Sequence, residues 1–212
     1  MKFIWITGSP RSGTTFLCDF IGKHTDKVYN EPWKTHPLRN PYIWKFPKCN
    51  TITMKYCENW RNLHYIMNRW PDSYFIHVWR DPDNVVYSMA YPKTKSYPPR
   101  NLYAGKKEAE RVRLSMKKWY NNLLNCVKIG IEYPKHYHEV QYENIQTDKL
   151  SRFLNIPLNK PFKYENKNIA TNIDWEEPYQ SLRNAVKKYD FQSSLLSYLF
   201  KEIPTLIKRP IF

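Results

Sequence analysis

The sequence predicts an α/β fold in three layers, with a mostly parallel central sheet flanked by helices. Strand-like and helix-like segments alternate along the chain, which is typical of parallel sheets with crossover helices. Residues 74–79 form a continuous apolar run of the kind found in strands buried on both faces. The first strand-like run leads through a glycine-containing turn into a helix-like segment. The 212 residues suit one domain, 1–212, with a full core.

Local patterns predict the individual elements. Apolar runs and β-branched alternation predict strands at 2–7, 51–56, 74–79 and 137–141, with a short strand at 28–29. Helical spacing of apolar residues predicts helices at 13–24, 58–70, 83–91, 106–129 and through 150–154, and one or two between 182 and 203. Gly130 is predicted to end the longest helix. Residues 30–50 and 92–104 are rich in proline, so we expect loops there, the second a surface loop or lid.

Residues 7–15, which read T-G-S-P-R-S-G-T-T, form the most informative stretch. A helix N-terminus presents unpaired backbone N–H groups and the positive end of the helix dipole. Gly8 and Gly13 let an anion approach that backbone closely. Further donors come from the cation Arg11 and from the hydroxyls of Ser12, Thr14 and Thr15. The stretch therefore predicts a cradle for the phosphates of a nucleotide.

The cation in this stretch separates it from the loop of ATPases, G-x-x-x-x-G-K-[ST]. Gly8 and Gly13 have the ATPase spacing, but Thr14 stands where the lysine belongs, and the cation is Arg11. The arrangement resembles the phosphosulfate-binding loop of sulfotransferases that use 3′-phosphoadenosine-5′-phosphosulfate (PAPS). The resemblance implies a P-loop-NTPase-like sulfotransferase fold. It also implies cofactor contacts from the loop residues Arg11, Ser12, Gly13, Thr14, Thr15 and Phe16.

Two later stretches extend this resemblance, which runs from about residue 2 to residue 155. Arg80 follows the strand at 74–79, and Ser88 lies on the next helix, which Asp81 can cap. This stretch resembles the sulfotransferase segment that binds the 3′-phosphate, and the resemblance assigns that contact to Arg80 and Ser88. The residues V-Q-Y-E-N-I at 140–145 resemble a family motif near the adenine, which suggests a contact from Tyr142; a tyrosine that faces the core is the alternative.

The candidate catalytic residues are Glu31, Arg11 and Lys55. Arg11 and the backbone N–H groups around Gly13 to Thr15 are expected to hold the phosphosulfate. Lys55 lies at the end of the second strand, where many members of the family that the chain resembles have a lysine. The run N-E-P-W at 30–33 resembles the Glu-Pro element of the carbohydrate, protein and bacterial branches, so Glu31 is the predicted general base. Cys57 stands where the cytosolic branch has its histidine base, and a neutral thiol is a poor replacement. Reserve candidates for the base are His36 and Glu58.

Composition narrows the classes of partner. The net charge of +15 favours anionic ligands, but no helix-turn-helix, RRM or zinc-finger pattern indicates a specific nucleic acid. No apolar run approaches the ~20 residues of a membrane span, and no signal peptide is evident. The four cysteines lack a C-x-x-C pair or zinc-ligand spacing, so we expect no metal site and reduced thiols in the cytoplasm.

These observations together predict transfer of a sulfuryl group from PAPS to a hydroxyl acceptor, with PAP as the second product and no metal. The acceptor is a small molecule, a glycan or a peptide; the aromatic and basic residues at 32–50 and 92–104 would suit an acidic or carbohydrate acceptor. Two alternatives stay open. One is a P-loop kinase or other nucleotide-dependent phosphotransferase, and the other is a basic module that binds polyanions without catalysis.

Overall fold

A computed structural model describes residues 1–30, 46–55, 57, 63–91, 103, 105–159, 173–189 and 195–202 of the chain. The described strands are β1 (Lys2–Gly8), β2 (Lys27–Asn30), β3 (Thr51–Lys55), β4 (Tyr74–Trp79) and β5 (Tyr137–Gln141). The described α-helices are α1 (Thr14–Gly22), α2 (Leu63–Arg69), α3 (Pro82–Ala90), α4 (Glu108–Glu132), α5 (Thr147–Leu154), α6 (Glu177–Lys188) and α7 (Leu195–Glu202). Short 3₁₀ turns at Pro134–His136 and Tyr142–Asn144 flank β5.

The five strands form one sheet in the order β2-β3-β1-β4-β5, and each neighbouring pair is parallel. Three register pairs lie at the carboxyl edge: Asn30 opposite Lys55, Gly8 opposite Val78, and Trp79 opposite Gln141. The loops that leave β1, β3 and β4 therefore start side by side. The predicted parallel α/β sheet is confirmed.

Both faces of the sheet are buried, and β1 places apolar side chains on each of them. Phe3 and Trp5 point to the face that packs against α2 and the C-terminal end of α4, whereas Ile4 and Ile6 point to the face covered by α1 and α5. Each fully buried aliphatic side chain of this kind contributes about 1.5–3 kcal/mol. The two buried faces give the three layers that the sequence predicted. Within the described residues, no helix is both long and apolar enough to cross a bilayer.

The longest helix differs from its prediction at the C-terminal end. Gly130 was expected to stop this helix, but α4 continues to Glu132, so that prediction is wrong. A Cβ added to Gly130 would lie only 2.7 Å from the ring of Tyr137, the first residue of β5. The glycine therefore makes room for an aromatic ring against the helix. α6 likewise begins at Glu177, ahead of the predicted 182.

Asp83, near the start of α3, connects the site-bearing part of the chain to its C-terminal helices. Its carboxylate accepts hydrogen bonds from Trp175 Nε1 at 2.7 Å and from Arg183 Nε and Nη2 at 2.8 and 2.9 Å. Lys187 also donates to it. Burial alone would raise the pKa of Asp83, but the hydrogen bonds from Arg183, Lys187 and Trp175 outweigh burial and lower that pKa. The carboxylate is therefore ionised at neutral pH.

We expect Asp83→Ala to lower the free energy of unfolding by about 2–4 kcal/mol, because it leaves two cations and an indole N–H without their shared acceptor. Urea denaturation measures this loss. Since the folded-state pKa is lowered, the contribution is complete at neutral pH and fades as pH falls below the ordinary value of 3.8. Asp174→Ala, at an exposed position nearby, should cost less than about 0.5 kcal/mol. Equal losses in the two variants would contradict this role.

Candidate functional site

Three loops at the carboxyl edge of the sheet bring the predicted anion-binding residues together. Arg11, in the loop after β1, donates from Nε to Ser88 Oγ on α3 at 2.9 Å. Lys55, the last residue of β3, donates from Nζ to Thr15 Oγ1 at 2.7 Å. These two hydrogen bonds join segments that are 77 and 40 residues apart. The first two motifs of the sequence therefore form one site.

The backbone of the loop takes a path that requires glycine at two positions. Gly8 has φ 142° and Gly13 has φ 98°, and Gly13 immediately precedes the first turn of α1. Among the described residues, no side chain caps this helix and its first turn carries no acid. The N–H groups and the positive end of the helix dipole thus face the loop, which suits a phosphate or sulfate.

Ser12 shapes the loop from within. Its backbone N–H donates to the carbonyl of Ser9 at 3.1 Å, and its hydroxyl donates to the same oxygen at 2.7 Å. The residue is fully buried. Both of its donors are engaged inside the turn in this structure, so the donors that the loop presents outward come from its neighbours, among them the exposed Thr15.

Arg11 combines an exposed cation with a strained backbone. Its φ of 71° lies in the left-handed region, which costs a residue with a side chain about 1–2 kcal/mol. Backbone strain of this kind persists where the surrounding structure determines the conformation. In this conformation the Arg11 side chain reaches α3, where its Nε donates to Ser88 Oγ.

Lys55 and Cys57 form the wall of the site on the β3 side. Lys55 is 7% exposed, so its ammonium reaches Thr15 from the interior of the sheet edge. The Sγ of Cys57 lies 3.6 Å from Thr14 Oγ1, in the first turn of α1. The thiol of Cys57 therefore faces the first turn of α1.

Tyr142 lies between the loop and Arg80. A Cβ on Gly13 would collide with the Tyr142 ring, so the ring packs directly on the glycine backbone. The ring centroid is 6.2 Å from that of Phe16, which is 44% exposed, and the two rings meet edge to face. The Cζ of Arg80 lies 5.3 Å from the Tyr142 centroid. Tyr142 thus contacts both of the segments that the sequence predicts to bind anions.

Arg80 is also contacted by Glu143, the residue after Tyr142. Its Nε donates to Glu143 Oε1 at 3.2 Å, and the backbone N–H of Asp81 lies 3.4 Å from the same oxygen. Asp81 in turn caps α3 by accepting from Asn84 N at 3.0 Å. Burial raises the pKa of Glu143, while Arg80 and the backbone N–H groups act in the opposite direction.

Several predicted residues lie outside the described part of the chain. These are the predicted base and its two reserve candidates, Glu31, His36 and Glu58, together with most of 32–50 and 92–104. The chain reaches Glu31 directly from Asn30, which pairs with Lys55 in the sheet. Among the described His, Cys, Asp and Glu residues, no group of three is arranged to hold a metal ion.

Comparison with known proteins identifies the family. The sulfotransferase family model matches residues 40–156, more than half of the chain. The chain belongs to the sulfotransferase family. The matched span includes Lys55, Arg80, Ser88 and Tyr142 but not the loop after β1. The hydrogen bonds from Arg11 to Ser88 and from Lys55 to Thr15 are among the contacts that connect that loop and the start of α1 to the part that matches.

Two solved structures show the same fold. Mouse sulfotransferase SULT7A1, crystallised with PAP, matches with a TM-score of 0.54 and 18% identity; the match covers 75% of this chain and 60% of that protein. A sulfotransferase from Alicyclobacillus acidocaldarius matches with a TM-score of 0.51 and 13% identity over 98% of this chain and 96% of that one. This chain thus corresponds to less than two thirds of the mouse protein. No curated protein matches the sequence.

The structure also reveals contacts that the sequence motifs did not predict. Glu143, within the V-Q-Y-E-N-I run, accepts a hydrogen bond from Arg80. Arg183, near the C-terminal end of the described chain, pairs with Asp83. The Glu143 contact could have been anticipated from the sheet, since parallel pairing of β4 with β5 places residue 80 beside residue 142. No comparable signal exists for Arg183, which lies 100 residues from its partner.

We expect Arg11→Gly to be more stable than Arg11→Ala by about 1 kcal/mol, because only glycine accepts this positive φ without strain. Both variants remove the same cation, so both should lose turnover while their free energies of unfolding differ. Chemical denaturation of the two variants measures this difference in the free energy of unfolding. Arg11→Lys is the control, because it keeps both the positive charge and the backbone strain. Equal stability of the glycine and alanine variants would contradict a left-handed conformation at this position.

Proposed function

We propose that this protein transfers the sulfuryl group of PAPS to a hydroxyl acceptor. The observation that carries the proposal is the contact between two anion-binding segments, made by Arg11 and Ser88 at 2.9 Å. PAPS carries a phosphosulfate on its 5′ side and a phosphate on its 3′ side. ATP has no 3′-phosphate for the second segment. Two adjoining sets of donors therefore suit PAPS better than ATP.

The donors around the loop fit the phosphosulfate end. Arg11 and Lys55 supply two cations, and the N-terminus of α1 supplies backbone N–H groups. The hydroxyls of Thr14 and Thr15 lie in the same turn. A set of this kind, fixed before the ligand arrives, stabilises charge that develops on the leaving phosphate oxygen and on the sulfuryl group. PAPS, when bound, supplies an activated sulfuryl group.

Arg80 and Ser88 are the proposed contacts of the 3′-phosphate, and the rings of Tyr142 and Phe16 are the proposed contacts of the adenine. Arg80 lies directly after β4, and Tyr142 directly after β5, at the same edge of the sheet. Phe16 is exposed beside Tyr142, so an apolar ring could pack there. This assignment places the two ends of the nucleotide on segments that the Arg11–Ser88 hydrogen bond joins.

The proposed general base is Glu31. Parallel pairing brings the end of β2 level with Lys55, and Glu31 is the next residue of the chain. In the reaction, the acceptor oxygen bonds to sulfur, and its proton passes to the carboxylate. The bond from sulfur to the 5′-phosphate oxygen breaks, and PAP leaves with the electron pair. A carboxylate near Lys55 would be close to that transfer.

The function is tested by incubating the protein with isotopically labelled PAPS and a panel of phenols, sugars and tyrosine peptides, followed by mass spectrometry. We expect a sulfated acceptor and an equal amount of PAP, and no product with Lys55→Ala. Transfer of phosphate from ATP with magnesium would instead indicate a phosphotransferase. Salt-sensitive binding to polyanions without turnover or PAP binding would indicate a binding module.

We expect Glu31→Gln to reduce turnover about 10²–10⁴-fold, because it removes the proton acceptor and keeps the shape of the side chain. Affinity for PAP, measured by calorimetry, should be nearly unchanged. His36→Gln and Glu58→Gln are the matched controls and should retain most of their activity. Full turnover in the Glu31 variant, or a comparable loss in either control, would assign the base to another residue.

A further inference from the structure

The side chain of Arg80 is held on two sides by consecutive residues. Tyr142 lies against it, with Cζ 5.3 Å from the ring centroid. Glu143 accepts from Nε at 3.2 Å with one carboxylate oxygen, Oε1. Both side chains of this ion pair are largely buried, with 14% of Arg80 and 20% of Glu143 exposed. A hydrogen bond at Nε and an aromatic ring beside Cζ together restrict the rotation of a planar guanidinium.

This arrangement follows from the register of two strands. β4 and β5 are parallel, and Trp79 lies opposite Gln141. The next residues along each strand direction are Arg80 and Tyr142, so the arginine emerges beside the 3₁₀ turn Tyr142–Asn144. Glu143 then reaches back to both Arg80 and the backbone N–H of Asp81. The turn after β5 therefore contacts the first two residues after β4.

The carboxylate of Glu143 is unfavourable beside Arg80 in two respects. It opposes the binding of a phosphate by charge, and it is buried at a cost that raises its pKa. Its second oxygen, Oε2, is buried and has no hydrogen-bond partner among the described residues. An unpaired buried acceptor costs about 1–3 kcal/mol. Stability alone gives little reason to keep such a group, whereas a requirement to orient Arg80 does.

We propose that Glu143 is a positioning residue that orients Arg80 for the 3′-phosphate of the nucleotide. The inference rests on the function proposed above and adds to it a residue that does not itself touch the ligand. Arginine has five N–H donors, and Glu143 accepts from the one at Nε. The hydrogen bond fixes the plane of the guanidinium at that edge, while Tyr142 fixes the side on which it lies.

The test compares Glu143→Gln with Glu143→Met. Both variants remove the charge and keep a side chain of similar length, but only glutamine keeps an oxygen that accepts from Arg80 Nε. Calorimetry gives the affinity of each protein for PAP and for adenosine 5′-phosphate (AMP), which lacks the 3′-phosphate. The ratio of the two affinities measures the contribution of that phosphate. A general structural defect would weaken both ligands together.

We expect the PAP-to-AMP affinity ratio of Glu143→Met to fall about tenfold, in line with loss of a hydrogen bond to a charged group. AMP affinity should stay within about twofold, and Glu143→Gln should keep the wild-type ratio within about threefold. Arg80→Ala, which removes the contact itself, should show the largest fall. If Glu143→Met does not fold, as judged by near-UV circular dichroism, Glu143→Ala takes its place.

A wild-type ratio in both Glu143 variants would overturn the positioning role. Equal weakening of PAP and AMP would also overturn it, because that pattern indicates a structural role alone. A wild-type protein that does not prefer PAP to AMP would instead refute the proposed function, and the role of Glu143 with it. The two failures are therefore distinguished by the wild-type measurement.

Discussion

Parallel pairing of β1 with β4 is the constraint on which the rest of the site depends. The pairing ends with Gly8 opposite Val78, so β1 ends level with the residue two positions before Arg80. From the loop that follows β1, Arg11 reaches Ser88 on α3. A slip of this register would separate the two sets of donors and turn every side chain of β1 to the opposite face.

At the same edge of the sheet, β4 pairs in parallel with β5. Tyr142 directly follows β5, and its ring contacts both Gly13 and Arg80. Gly13 therefore meets two requirements at once: a positive φ at the start of α1 and space for an aromatic ring. Behind this edge, Asp83 ties α3 to α6, so the helix that carries Ser88 is anchored at its N-terminal turn.

The parts of the structure that the sequence predicted are those set by local patterns. The strands at 74–79 and 137–141 match at both ends, because each is a short run bounded by residues that favour turns. The end of α4 did not match, since the neighbour of Gly130 is Tyr137 on another element. Contacts such as Arg183 with Asp83 join residues 100 positions apart and leave no periodic signal in either segment. The positions of Arg11 and Ser88 were predicted by motif, but their direct contact required the three-dimensional arrangement.

We propose that one nucleotide bridges the two predicted anion-binding segments. A crystal structure of the protein with PAP is the decisive test of this proposal. We expect the 5′-phosphate at the N-terminus of α1, within hydrogen-bond distance of the backbone N–H groups of Gly13–Thr15, and the 3′-phosphate on Arg80 and Ser88. A nucleotide bound elsewhere, or one bound at the loop with its 3′-phosphate away from Arg80, would contradict it.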